Sequence, residues 1–252
     1  MKAHVLSEDV NFELQNGCAN ITLNRPAVGN ALSSAMVDAL DAAIDQTLGA
    51  GARMMVFRGS GNHLCTGFDL GDLESSSDGD LLLRFVRIEQ VLQRVYGCPV
   101  ATVAVGSGRV YGAGADLFAA CDRRISLPEA SFAFPGSAFG LILGTRRLGT
   151  RIGNDTARRI LIAGQVISAN EAVRIGLATD FCEEDKLSNL LTGIMEGACR
   201  LPSRTVANLH AATSSRDDDA DLAALVNSAS VPGLNERISA YREKVSRERA
   251  KA

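Results

Sequence analysis

Two periods of apolar and polar positions alternate along the chain. VNFELQ (10–15) and NITLN (20–24) carry the period of two expected of strands and end at Arg25-Pro26. From Ser33 the period lengthens. Met36, Val37, Leu40, Ile44 and Leu48 fall on one face of a predicted helix, with Ser33 placed to cap it and Gly49 and Gly51 to stop it. RMMVFRG (53–59) reads as a buried strand, and a glycine-rich turn leads from it into HLCTGFDLGDL (63–73). ESSSDGD (74–80) reads as a loop and residues 81–96 as an amphipathic helix, which Cys98-Pro99 breaks. PVATVAV (99–105) is a second buried strand, VYGAGADLFAACD (110–122) a loop and apolar helix, and RRISLP and SFAF are short strands.

This alternation predicts an α/β core over residues 1–190. NDTARRILIAG and SANEAVRIG read as helices, ATDFC as a short strand, and most of the rest as helices divided by Pro202, SSRDDD and Pro232-Gly233. Residues 191–252 are expected to form a helical C-terminal region packing on the core and on neighbouring subunits. The last helix, from Leu234, has an apolar side (Leu234, Ile238, Tyr241, Val245) too thin for a core, which points to a partner subunit or the surface. Asp155 and Thr156 read as the N-cap of their helix.

The charge balance narrows the function. A formal net charge of −3 and a pI near 5.7 give no reason to expect nucleic acid or an acidic membrane surface as a partner. No apolar run reaches the roughly 20 residues of a membrane span, and the N-terminus lacks the apolar core of a signal peptide. The six cysteines lie without metal-ligand spacing and read as reduced thiols of a cytoplasmic protein; with three histidines, they offer no metal site.

Asp116 is the lone charge inside the apolar helix, and three small residues precede it directly. Two glycine-rich turns each follow a buried strand, a setting in which backbone N–H groups can hold an anion. VAVGSGRVYGAG (103–114) loosely matches a dinucleotide-binding pattern, with one residue too many between Gly108 and Gly112. A nucleotide-binding oxidoreductase is the reading that follows from that match. The other reading is a developing oxyanion held between this turn and LCTGFDL (64–70).

In order, ITLNRPAVGNAL, LCTGFDL, PVATVAVGSGRVYGAGADLFAACDRRIS, SFAFPGSAFGLILGTRRL and AGQVISANEAVRIGLATDF resemble segments of the enoyl-CoA hydratase/isomerase (crotonase) superfamily, over nearly the whole chain. The resemblance implies ββα units wound into stacked sheets, helices that assemble a homotrimer or homohexamer, and an acyl-CoA substrate. It brings no cofactor beyond the coenzyme A of that substrate. It implies an enolate held by the N–H groups of Phe68 and Ala113. It also places Arg25, Ala27, Ala31, Thr66, Gly67, Leu70, Gly112 and Gly136 along the substrate. Asp116 falls where hydratases of the family carry a catalytic glutamate, about 1.5 Å shorter in reach. Gly136 falls where they carry a second one, and Gly71 where a lysine is common.

Water addition divides its acid–base work between two carboxylates, so the resemblance with one carboxylate points to isomerase-type proton transfer. A non-catalytic acyl-CoA-binding homologue is the alternative. Asp116 itself is either the proton-transfer group or a structural carboxylate paired with backbone N–H groups or with Arg109 or Arg146. Asp122 reads as ending its helix or pairing with Arg123 or Arg124, and Asp69 as a helix cap.

Overall fold

The structure, a computed structural model, describes residues 4–249. Seven strands form one sheet in the order β1 (His4–Ser7), β2 (Val10–Gln15), β3 (Cys18–Leu23), β4 (Met54–Gly59), β5 (Ala101–Gly106), β7 (Arg123–Ser126) and β10 (Asp180–Phe181). The first three are antiparallel, and β3 through β10 run parallel. A second sheet joins β6 (Arg109–Tyr111), β8 (Ser131–Ala133) and β9 (Ile167–Ser168). The hairpin between β2 and β3 turns on Asn16 and Gly17, both at positive φ, as a two-residue turn requires. β1 is an edge strand that the hydrophobic pattern does not announce.

Both faces of the large sheet are covered, and the pleat assigns them. Met54 and Val56 of β4 join Val103 and Val105 of β5 in one apolar cluster, while Met55 and Phe57 point the other way into the main core. The main core lies under α1 (Ser34–Gly49), α2 (Asp78–Tyr96) and α3 (Ala113–Ala120). Ser33 caps α1 through its side chain, which accepts from the Met36 N–H, as expected. The segment read as a loop at 74–80 is partly helix. Ser77 and Asp80 form a reciprocal capping box that starts α2 at Asp78.

Beyond the small sheet's first strands come α4 (Thr145–Ile152), α5 (Asn154–Ala163) and α6 (Ala169–Arg174). Gly153 stands at the cap position of α5 with no side-chain bond, so Asp155 lies in the first turn instead, paired with Arg158. The chain ends with α7 (Leu187–Cys199), α8 (Ser203–Thr213), α9 (Asp218–Ala229) and α10 (Leu234–Arg249). α7 lays Leu190, Leu191, Ile194 and Met195 against the second cluster.

The expectation for the last helix needs correcting. Leu234 and Ile238 are fully buried in the chain's own core, and the Tyr241 ring packs on Phe139 at 5.5 Å. Asp78, at the start of α2, takes hydrogen bonds from the N–H groups of Gly233, Leu234 and Asn235 (2.8, 3.1 and 2.8 Å), which ties the N-terminus of α10 down. Asn235 adds two bonds, to the carbonyls of Leu73 and Ser76. Residues 250–252 of that expected helix lie outside the described residues. Among the described residues, no helix is long and apolar enough to cross a membrane.

Candidate active site

The small residues before Asp116 make room for another loop. Gly112 adopts φ 53° and ψ −129°, a conformation costly for any residue with a Cβ, and its N–H donates to Ala133 O at 2.8 Å. Its carbonyl accepts from Ala115 and Asp116, which starts α3. A Cβ on Gly114 would stand 2.4 Å from Cys65 O, so any larger residue there would displace the 64–70 loop. β6 separates Gly108 from Gly112, so the glycines do not share one turn and the dinucleotide-binding reading fails on geometry.

Cys65–Gly67 is threaded between two neighbours. On one side Tyr111 N donates to Cys65 O (2.9 Å) and Leu64 N to Ser107 O (3.0 Å). On the other, Leu32 N donates to Gly67 O (2.7 Å), Thr66 N to Gly29 O (2.9 Å) and Asp69 N to Leu32 O (3.1 Å). Gly67 sits at φ +104°, and a Cβ there would lie 2.9 Å from Tyr111 O; a Cβ on Gly112 would lie 3.6 Å from the Gly67 Cα. The two loops therefore meet main chain to main chain. Among the described residues, the N–H groups of Phe68 and Ala113 have no acceptor, and neither do those of Leu70 and Gly114, while the Thr66, Asp69, Tyr111 and Gly112 amides are each bonded to a carbonyl. The Phe68 ring stacks on Phe85 (4.4 Å), with the Arg84 guanidinium 4.1 Å from its centre.

The turn holding Ala27 is fastened to the same loop, since Thr66 Oγ1 donates to Val28 O at 3.3 Å. Ala31 is buried, Leu70 half-buried against the core, and Ala27 exposed. Arg25 is engaged within the protein. Its Nη1 donates to Ala31 O (2.8 Å) and Asp69 Oδ2 (2.6 Å), and its Nε lies 3.6 Å from Asp9. Asp69 is not a helix cap; its other oxygen accepts from Gly71 N–H. Pro135 packs beside Gly112, which brings Gly136 next to the start of α3 without a side chain. His63 braces the turn from beneath, its Nδ1 accepting from the Arg109 N–H.

Asp116 is buried and its Oδ1 has no partner. Burial pushes this carboxyl well above the usual carboxylate range; the Arg147 charge partly opposes that rise and the Glu89 charge adds to it. Gly144, at φ +62°, makes room for it, because a Cβ there would fall 2.2 Å from Asp116 Oδ1. Arg109 is exposed, and Arg146 pairs with Asp221, so neither is the partner offered above. Asp122 likewise departs from expectation, its Oδ2 accepting from Thr102 N and Oγ1.

Three residues of the site escape a reading of the sequence: Glu89, Arg147 and Asp221. Arg147 Nη2 and Nη1 donate to the two oxygens of Glu89 (2.5 and 2.8 Å), and Nη1 also to Asp221 Oδ2 (3.1 Å). Glu89 carried a signal. It sits on the apolar face of α2 between Phe85 and Leu92, where a charge requires a buried partner.

With this geometry established, comparison with known proteins is informative. A family profile described as enoyl-CoA hydratase/isomerase matches residues 13–231. The chain belongs to the enoyl-CoA hydratase/isomerase family. A protein of Rhodobacter capsulatus named "Probable enoyl-CoA hydratase" is 38% identical over 173 residues, 67% of this chain and 66% of that relative, just under two thirds of its length. A crystal structure assigned as an enoyl-CoA hydratase/isomerase from Bordetella parapertussis superposes with a TM-score of 0.91 at 44% identity, over 93% of this chain and 98% of that one. An enoyl-CoA hydratase fold from Thermobifida fusca, solved in complex with acetoacetyl-CoA, matches 91% of this chain and 96% of that one, at TM-score 0.75 and 23% identity.

Proposed function

We propose that the protein is an acyl-CoA thioester enzyme that works through an enolate, with the Phe68 and Ala113 N–H groups on the thioester oxygen and Asp116 moving the proton. The observation that carries this reading is the pair of acceptor-free amides on two touching loops, beside a buried carboxyl with no partner. Donors fixed in advance lower the barrier where charge develops, because they need no reorganisation as the reaction proceeds.

The reaction is of isomerase type. The Asp116 carboxylate takes a proton from the carbon next to a double bond or carbonyl, and the electron pair moves to the thioester oxygen. The carboxylic acid so formed returns the proton at another carbon, which shifts the double bond and restores the carboxylate. A carboxyl with raised proton affinity is a stronger base than an exposed one. Hydration would need a second group to activate water, and Gly136 offers none. The Thermobifida fusca complex supports acyl-CoA as the ligand class, with coenzyme A entering as part of the substrate.

The test is a panel of enoyl-CoA thioesters in deuterated water, read by mass spectrometry. Deuterium entering the acyl group together with a moved double bond supports the reading. Crotonyl-CoA hydration is expected to run roughly 100-fold or more below that of a relative with both glutamates. Hydration at the relative's rate would overturn the single-carboxylate mechanism.

We also propose a homotrimer or homohexamer. Ile162 and Val166 are 81% and 56% exposed, and α8 buries none of its residues, so apolar surface is left for neighbours. Light scattering at micromolar concentration should show three or six copies; a 26.6 kDa species alone would count against the assembly.

A further inference from the structure

Below Asp116 lies a chain of four charges drawn from three helices. Glu89 of α2 is 0% exposed, Arg147 of α4 2%, and Asp221 of α9 7%, while Arg146 of α4 reaches the surface at 37%. Arg147 grips both oxygens of Glu89, and Gln93 Nε2 donates to Glu89 Oε1 at 2.9 Å. Asp221 accepts from Arg147 and, through both oxygens, from Arg146 at 2.9 Å each. Two cations and two anions close this chain electrically, and Asp116 is left over.

The position of Asp116 makes that closure consequential. Its Oδ1 touches the Gly144 cap of α4, and Arg147 comes three residues later on that helix, the spacing that brings side chains to a shared face. Arg147 is the cation whose charge reaches Asp116, yet no cation lies within 4 Å of the Asp116 carboxyl among the described residues. The Arg147 Nε is buried without a partner, as is Asp116 Oδ1.

We propose that Arg147 is a positioning residue: Glu89 and Asp221 hold its guanidinium away from Asp116, so that this carboxyl stays unpaired and free to exchange protons with a substrate. An arginine paired directly with Asp116 would fix it as a carboxylate and weaken it as a base. The short bidentate bonds to Glu89 prevent that, and Asp221 makes α9 part of the device. The charged groups that act on Asp116 are thus Arg147 on α4 and Glu89 on α2, with Asp221 on α9 and Arg146 on α4 further along the chain of charges. This inference rests on the proposed role of Asp116 as the proton-transfer group.

The experiment is Glu89→Gln, which keeps the shape and removes the charge. With its main hold gone, Arg147 can turn to Asp116. The low-pH limb of kcat/KM on the acyl-CoA found by the panel should then move to lower pH, by about one to three units. A second readout needs no substrate. In protein carrying 13C in its aspartate carboxyls, the Asp116 signal, assigned by its absence from Asp116→Asn, should titrate lower by the same amount. Made in an Arg147→Met background, Glu89→Gln should shift both much less; a shift of equal size there would come from loss of the Glu89 charge alone and would overturn the inference. Should Glu89→Gln fail to fold, Asp221→Asn removes the second hold and is read the same way. If the melting temperature falls while the Asp116 titration stays put, the chain of charges is structural only and the inference is overturned. If the titration moves but no acyl-CoA is turned over, the positioning stands and the proposed function falls.

Discussion

At the start of α2, the Asp78 carboxylate receives three amides from the N-terminus of α10; on α3, the Asp116 carboxyl is buried with an oxygen that receives nothing. Hydrogen bonds from Asn235 above all, then Gly233 and Leu234, hold Asp78 below the ordinary carboxylate range, whereas burial drives Asp116 far above it. The side chain is the same, and the surroundings reverse its preference for the proton. Asp78 spends its charge on fastening a helix. Asp116 spends none on structure, which leaves its protonation open to chemistry.

The largest effect expected from this contrast is on turnover. Asp116→Asn should lower it by about 100- to 10,000-fold while acyl-CoA affinity stays within a few-fold, measured by steady-state kinetics and calorimetry. Stability should not follow. A raised carboxyl binds more protons folded than unfolded, so it costs stability as pH rises above its unfolded value. The asparagine variant should therefore melt no lower than the parent at neutral pH and above; a clear drop in melting temperature with normal turnover per folded molecule would make Asp116 a structural residue.

A step smaller is Gly144→Ala. Its methyl would stand 2.2 Å from Asp116 Oδ1 on a backbone at φ +62°, and relieving that overlap moves the carboxyl by about 1 Å, which in a reacting group costs about 100-fold in kcat. Unchanged kcat in a folded variant would show that the carboxyl needs no fixed place.

Asp78→Asn should give the smallest change, and of the opposite kind. The melting temperature should drop by a few degrees, hydrogen exchange should quicken in α10, and turnover per folded molecule should hold. The sign with pH also reverses. A depressed carboxylate contributes stability above its unfolded pKa and loses it as pH falls through the folded one, so parent and variant should converge in acid. A gap that persists at low pH would mean that the three hydrogen bonds do not depend on charge.

These two aspartates also mark what could be read in advance. Asp116 stood out because a charge in an apolar helix contradicts its local pattern, and Ser33 declared itself as a cap by position alone. Asp78 could not be read that way, since its partners lie 155 to 157 residues further along the chain. The same distance hid the packing of α10. A stripe of Leu234 and Ile238 looks too thin for a core until α2 and the 135–139 turn are seen to close over it. Among the clustered arginines, local sequence does not say that Arg147 turns inward and Arg146 outward; the choice is made by Glu89 and Asp221 on other helices.

The contact between Gly67 and Gly112 has a consequence for how such a site can change over time. The bonds that set the spacing of these loops run between backbone atoms: Tyr111 N to Cys65 O, Leu32 N to Gly67 O, and Gly112 N to Ala133 O. Side chains on the two loops can therefore be exchanged without moving the Phe68 and Ala113 amides relative to each other. Drift at Phe68 or Tyr111 would change the side chains the two loops carry and leave the amide spacing as it is. Drift at Gly67, Gly112 or Gly114 would do the reverse, and there the chain has almost no latitude.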